Sequence, residues 1–338
     1  MARRVKWGVL STAKIGRTKV IPAMQRCELA KVVGICSRSL ENARAMAAQL
    51  SIPKAYGSYE ELLNDPEIEA IYNPLPNHLH AEWTIRAAAA GKHVLCEKPI
   101  GLNVAEARKI REAGDKYRVK IGEAFMVRNH PQWLRTMELV RKGRIGKLRS
   151  AAGYFSYFNN DPKNVRNELE YGGGALLDIG CYPVKTTRMV FGEEPLRVAA
   201  SIERDPKFKI DRLASGILEY PSGQCVFTVS TQLVPFQKMQ FFGTEARIDV
   251  EIPFNAPPDK PTRIFIDDGN QLYAGQSATM ESFAICDQYT IQGDLFSKAV
   301  MENTEVPNPM EDAIRNMAVL DALFRAGESG GWVVPERL

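Results

Sequence analysis

Nowhere does the sequence contain an apolar run long enough to span a bilayer, which argues against a membrane-embedded protein. An apolar signal core is missing too. The basic start, Met1-Ala2-Arg3-Arg4, leads into a charged strand-like segment, so secretion is not expected. Charge of one sign is also in short supply. There are 44 Lys and Arg against 40 Asp and Glu, a net charge of +4. No basic run is interleaved with aromatics, so a nucleic-acid partner is not expected. Cysteine is sparse: Cys27, Cys36, Cys96, Cys181, Cys225 and Cys286, with no Cys-x-x-Cys pair among them. That is the pattern of reduced, mostly buried thiols in a cytoplasmic protein. Histidine is rarer still. Only His78 and His80 are close in sequence, while His93 and His130 stand apart, so no metal site is expected.

What is present points to a globular protein of two domains. A chain of 338 residues, 45% hydrophobic and 25% charged, is too long for one ordinary core. Residues 5–10, 29–36, 70–73, 93–96 and 119–125 read as strands. Residues 39–50, 59–63, 78–90 and 104–117 read as helices. In the last of these, Asn103 is placed to cap, Glu106 to complete a capping box, and Val104, Ala107, Ile110, Gly114 and Tyr117 share a face. Alternating strand and helix implies parallel strands with crossover helices, an α/β doubly wound domain over residues 1–124. From 125 onward the pattern changes. After a helix at 131–142, strand-like runs follow at 148–158, 196–202, 214–220, 224–233, 238–243, 247–252 and 263–267. They are separated by turns such as Tyr220-Pro221-Ser222-Gly223. Successive strands without helices argue for an antiparallel sheet. Helices at 287–301 and 309–326 close an α+β domain assigned to 125–338.

The first strand runs into Ser11-Thr12-Ala13-Lys14-Ile15-Gly16. A dinucleotide fold needs a tight turn here, with backbone N–H groups and a helix start facing the pyrophosphate. Both early glycines of the usual G-x-G-x-x-G are replaced, by serine and alanine. The second strand ends at Ser37-Arg38, where an NAD-preferring site has an acidic residue. A guanidinium pairs with a 2′-phosphate that a carboxylate would repel, so NADP is the expected cofactor, with NAD possible. A further strand runs into Cys96-Glu97-Lys98-Pro99, which places Lys98 at the carboxyl edge where ligands bind.

These segments resemble the glucose–fructose oxidoreductase / inositol dehydrogenase family, also called Gfo/Idh/MocA. The matching stretches are Trp7-Gly8-Val9-Leu10-Ser11-Thr12-Ala13, Asn73-Pro74-Leu75-Pro76-Asn77-His78-Leu79-His80, Ala90-Gly91-Lys92-His93-Val94-Leu95-Cys96-Glu97-Lys98-Pro99 and Gly172-Gly173-Gly174-Ala175-Leu176-Leu177-Asp178-Ile179-Gly180-Cys181-Tyr182. The resemblance implies a Rossmann domain followed by a large open, mainly antiparallel sheet that packs on another subunit, hence a homodimer or higher homo-oligomer. It implies a cofactor groove formed by Ser11, Thr12, Ala13, Ile15, Ser37, Arg38, Leu75, Pro76, Asn77, His80, Glu97 and Lys98, often with a cis Lys-Pro bond.

Tyr182 stands where many family members carry histidine. That is similar to the branch of NADP-dependent D-xylose dehydrogenase and dimeric dihydrodiol dehydrogenase. The resemblance implies Lys98, Tyr182 and Asp178 as catalytic residues. It also implies a sugar or polyol substrate held by Lys98, Arg128, Trp133, Asp178 and Tyr182. A phenol is a poor base at neutral pH, and a nearby ammonium favours the phenolate. The expected reaction is C1 oxidation of an aldose to a lactone. Other polyols, keto-sugars, a glycoside C3 or trans-dihydrodiols would suit the same residues, and a catalytically silent NADP-binding regulator is the reading from another class. The glycine run 172–174 is expected to let the backbone approach the substrate.

Overall fold

The computed structural model describes residues 3–271 and 277–337; of the basic start, Met1 and Ala2 lie outside them. The chain forms two compact units: Met1–Met126 with Asp287–Ile314, and Val127–Cys286 with Arg315–Leu338.

The first unit is built on six parallel strands: β1 (Val5–Leu10), β2 (Ala30–Cys36), β3 (Lys54–Tyr56), β4 (Ala70–Asn73), β5 (His93–Glu97) and β6 (Ile121–Ala124). Their spatial order is β3-β2-β1-β4-β5-β6, the doubly wound arrangement whose order reverses beside β1. β1 lies at the centre, with Val5, Trp7, Val9 and Leu10 fully buried. Gly8 is glycine for packing, since a Cβ there would press on Leu62 at 2.8 Å and Ile68 at 3.0 Å. The crossovers carry α1 (Ile21–Met24), α2 (Leu40–Gln49), α3 (Tyr59–Leu63), α4 (His80–Ala89) and α5 (Val104–Tyr117). Asn103 caps α5 by accepting from Glu106 N at 3.0 Å. Glu106 reaches back to Leu102 N at 2.7 Å, one residue earlier than a capping box places it. Ala107, Ile110 and Ala113 form the buried face of α5, whereas Tyr117 is exposed.

A division at residue 124 leaves out part of this unit. After the second unit the chain returns as α8 (Gln288–Glu302). Phe296 packs on Trp7 with ring centroids 5.3 Å apart, and Trp7 Nε1 donates to Ser297 Oγ at 3.1 Å. A buried indole N–H needs an acceptor, and β1 has none to offer in sequence.

The second unit opens with α6 (Pro131–Arg141), β7 (Leu148–Phe158) and α7 (Cys181–Phe191). It continues through β8 (Arg197–Arg204), β9 (Asp211–Glu219), β10 (Gln224–Ser230), β11 (Gln232–Gly243), β12 (Arg247–Val250), β13 (Thr262–Asp267) and β14 (Thr279–Phe283). The unit boundary at 314 falls inside α9 (Met310–Ser329). The eight strands make one sheet in the order β14-β13-β12-β11-β7-β10-β9-β8. All neighbours are antiparallel except β10 and β7, which are parallel. The long connection through α7 takes the chain to the far edge, and the β8-β9-β10 meander returns it beside β7. β11 contains Pro235, which has no N–H to give, and the register shifts there between Gln232 and Phe236. Among the described residues no helix is long and apolar enough to cross a membrane. Among the described residues the cysteines form no disulfide; five of the six are buried and Cys286 is half-buried.

Candidate functional site

Because the first sheet is parallel, the ends of β1, β2, β4 and β5 lie along one edge, and the expected cofactor residues follow these ends. Directly after β1, Ser11 takes φ +92°, a conformation that glycine adopts without cost. Its Oγ accepts from Ala13 N at 3.2 Å, so the hydroxyl secures a turn made without the usual glycine. Thr12, Ala13 and Ile15 are half-buried, and helical turns begin at Lys14. After β2, Ser37 Oγ accepts from Ser39 N at 3.3 Å. Ser39 caps α2, and Arg38 is exposed. The residues that follow β2 in sequence, Ser37-Arg38-Ser39, include no acid. The turn, the helix start and the cation together suit a dinucleotide carrying an extra phosphate.

The segment after β4 is held from inside. Asn73 Oδ1 accepts from Leu75 N at 3.3 Å, and Asn73 Nδ2 donates to Thr84 Oγ1 at 3.1 Å. Leu75 is buried, while Pro76 and Asn77 are half-buried. His80, expected in the groove, is 1% exposed. Its Nδ1 lies 2.7 Å from Pro99 O and its Nε2 2.7 Å from Leu75 O. Burial pushes the imidazole down to about 4. The two carbonyls oppose that shift. His80 thus ties the loop at 74–77 to the loop that carries Lys98, and its ring is spent on the protein.

Three braces locate Lys98. Tyr72 OH donates to Glu97 Oε1 at 2.6 Å, and Lys98 N donates to Glu97 Oε2 at 3.3 Å. His80 holds Pro99 O, and Glu123 Oε1 accepts from Ile100 N at 3.2 Å. The Lys98–Pro99 peptide is cis.

In the second unit, a π-helical turn at Leu176–Gly180 leads into α7, and such turns recur at functional sites. It carries Asp178 and brings Tyr182 onto the first turn of α7. Tyr182 is 5% exposed. Its ring meets Phe155 edge-on at 5.6 Å and Phe254 at 5.1 Å. Asp178 Oδ2 accepts from Tyr157 OH at 2.5 Å and from Arg166 Nε at 2.9 Å. Burial and the Asp178 charge push the Tyr157 phenol up, so it stays protonated and donates. Tyr157 and Arg166 were missed in the sequence because neither sits in a motif; both come to Asp178 from distant segments.

Two expectations need correction. Trp133 is fully buried on α6; its Nε1 donates to Pro253 O at 2.8 Å, and its ring meets Phe241 at 6.0 Å. It packs α6 on the sheet and has no surface left for a ligand. The glycine run closes on its own chain. A Cβ on Gly173 would strike the carbonyls of Arg166 and Glu168, and one on Gly174, at φ +113°, would strike Asp211. Gly174 N donates to Arg166 O at 3.0 Å, so the run anchors the loop bearing Arg166. Arg128 lies half-buried in the turn Met126–Asn129. Lys98 belongs to the first unit; Asp178 and Tyr182 belong to the second.

Residues 5–125 match a family model described as an oxidoreductase family with an NAD-binding Rossmann fold, and residues 133–249 match the GFO/IDH/MocA C-terminal domain. An uncharacterized oxidoreductase of Rhizobium meliloti is 46% identical over 97% of this chain and 98% of its own. A D-xylose 1-dehydrogenase (NADP(+)) of Haloferax volcanii is 35% identical over 97% of this chain and 98% of its own. Among solved structures, a 3-ketoreductase from Actinomadura kijaniata in complex with NADP and TDP-benzene superposes with TM-score 0.89. It is 26% identical and covers 96% of this chain and 98% of that one.

Proposed function

The chain belongs to the Gfo/Idh/MocA family and is an NAD(P)-dependent oxidoreductase, and from that premise we propose that it oxidises the C1 hydroxyl of a neutral aldose to a lactone with NADP. The observation that carries this reading is the buried Tyr182 beside the ion-paired Asp178. The D-xylose 1-dehydrogenase (NADP(+)) relative supports the choice of substrate and cofactor.

Bound at the edge after β1 and β2, the cofactor supplies the hydride acceptor. The chain's own residues supply the rest. Ser11, Thr12, Ala13 and Ile15 form the pyrophosphate turn, Ser37 and Arg38 receive the 2′-phosphate, and Leu75, Pro76, Asn77 and Glu97 border the nicotinamide half. Tyr182 takes the hydroxyl proton as hydride leaves the substrate carbon. Lys98 stabilises the phenolate that results and orients the hydroxyl. Asp178 accepts a hydrogen bond from a neighbouring sugar hydroxyl.

The test is a panel of aldoses, glycosides, keto-sugars and diols with NADP and NAD. The Lys98→Met and Tyr182→Phe variants are each expected to lose about 100-fold or more in turnover while still binding NADPH by fluorescence. Near-normal turnover in either variant removes that residue from the mechanism. Reduction of a keto-sugar is the second reading, favoured by the 3-ketoreductase neighbour; it uses the same residues in reverse. The eight-stranded sheet also presents Ile217 and Val226 as exposed cross-strand partners, with Val234 and Phe236 on β11. Exposed apolar residues of this kind mark contact surfaces, and we assign this face to a homodimer or higher homo-oligomer, testable by light scattering.

A further inference from the structure

We propose that Arg166 is a specificity residue: its terminal nitrogens read a pair of adjacent hydroxyl oxygens on a neutral substrate, while its Nε is committed to Asp178. The proposal rests on the reading of this protein as a polyol oxidoreductase and deepens it.

Three observations carry it. The first is how the guanidinium is spent. Nε donates to Asp178 Oδ2 at 2.9 Å, and among the described residues neither terminal nitrogen has a hydrogen bond. The Arg166 side chain is 44% exposed against 11% for Asp178. The pair is thus buried at its acidic end and open at its basic end. A guanidinium presents its N–H groups in a rigid planar fork, which suits two oxygens side by side.

The second observation is how firmly the residue is presented. Asn164 Oδ1 accepts from Arg166 N at 3.1 Å. Gly174 N donates to Arg166 O at 3.0 Å. Asn167 Nδ2 holds the same loop by donating to Asp161 O at 2.8 Å. The backbone is therefore clamped on both sides of the side chain, and Gly173 has no Cβ because the Arg166 and Glu168 carbonyls occupy that space. A solvated surface arginine needs no such support, whereas a recognition residue gains from holding its rotamer before the ligand arrives.

The third observation is charge. Asp178 and Arg166 cancel, and Tyr157 donates a neutral O–H to the same carboxylate oxygen. An unpaired arginine would draw a carboxylate or phosphate. A neutralised one offers donors without net attraction for anions, the complement of a ring with adjacent hydroxyls. Asp178, on the turn that leads into α7, stands four residues before Tyr182 on the first turn of that helix.

The test is steady-state kinetics of the full-length enzyme with NADP on D-xylose and its 2-, 3- and 4-deoxy analogues, for wild type, Arg166→Met and Arg166→Lys. Arg166→Met is expected to raise KM for D-xylose by about 10- to 100-fold, the size of lost charged hydrogen bonds, with a smaller change in kcat. At least one deoxy analogue is expected to lose less than about threefold, because the hydroxyl read by the fork is already gone. Arg166→Lys keeps the charge but not the fork and is expected to stay within about fivefold of Arg166→Met on D-xylose. Circular dichroism and NADPH binding confirm folding of each variant. Equal losses on D-xylose and on every deoxy analogue would overturn the proposal and leave Arg166 a support for Asp178. So would a wild type that prefers glucuronate, sugar phosphates or nucleotide-linked sugars and loses that preference in Arg166→Met. If the wild type oxidises or reduces no neutral polyol while binding NADPH, the functional reading itself falls, and this inference with it.

Discussion

Arg166 and Asp178 meet through Nε and Oδ2 at 2.9 Å, across 12 residues of chain. The same oxygen receives the Tyr157 hydroxyl at 2.5 Å. One carboxylate oxygen thus joins a strand, a loop and a helical turn of the second unit. Tyr182 rises from the next turn, packed against Phe155 and Phe254.

Removing the charge at the centre of this cluster separates binding from folding. Asp178→Asn leaves Arg166 unpaired but half in solvent, so the stability loss is expected to be about 1–2 kcal/mol. Turnover efficiency on the preferred sugar should fall by about 100-fold. Thermal melting alongside kinetics checks both. A large melting loss with intact activity in the folded fraction would make the cluster structural only.

Cofactor choice is expected to lie with Arg38, exposed after β2 in the segment Ser37-Arg38-Ser39. Arg38→Ala should raise KM for NADP by about 10-fold or more, the loss of a charged contact to a phosphate, and that for NAD by less than about twofold. Equal effects on both cofactors would sink the assignment.

A buried acid sets a pH dependence of stability. Asp211 is 2% exposed and accepts from Leu176 N at 2.6 Å. Burial pushes its carboxyl up to about 7, against the opposing pull of backbone N–H donors. With the folded value above the unfolded one, its protonated form is favoured by folding. Its contribution is complete below about pH 4 and is lost as pH rises through about 7. Over that window stability should decline by up to about 4 kcal/mol. Asp211→Asn should flatten the decline and melt at or above wild type at pH 8. A wild-type melting temperature that rises from pH 4 to 7, with Asp211→Asn unchanged from it, would contradict this.

Gly174 packs against Asp211 in the same region. Gly174→Ala puts a methyl group into Asp211 at a φ of +113°. It should cost about 3 kcal/mol or more, read as a fall in melting temperature of roughly 6–12 °C. A silent substitution would mean that the 172–174 run relaxes freely.

Much of the first unit was legible because its signals are local. Strand–helix alternation predicts the parallel sheet, and the order and spacing of a few short segments identify the loops along its edge. The phosphate turn was less plain, since Ser11 and Ala13 replace glycines. Only φ +92° at Ser11, held by its own hydroxyl, shows that the turn is formed. Trp133 was misplaced for a related reason: an aromatic on an amphipathic helix reads alike whether it faces a ligand or the core, and Pro253 O decides it.

By itself the sequence determined what local periodicity and contiguous motifs can encode: the doubly wound sheet, the position of Lys98 after β5, and Asp178 and Tyr182 four residues apart on one helical run. Tertiary structure alone decided what depends on chain return. It took α8 back beneath Trp7, spent His80 on two loop carbonyls, and brought Tyr157 and Arg166 to Asp178. Such contacts join residues that no motif links, and they form because a buried indole, imidazole or carboxylate must find a partner wherever the fold provides one.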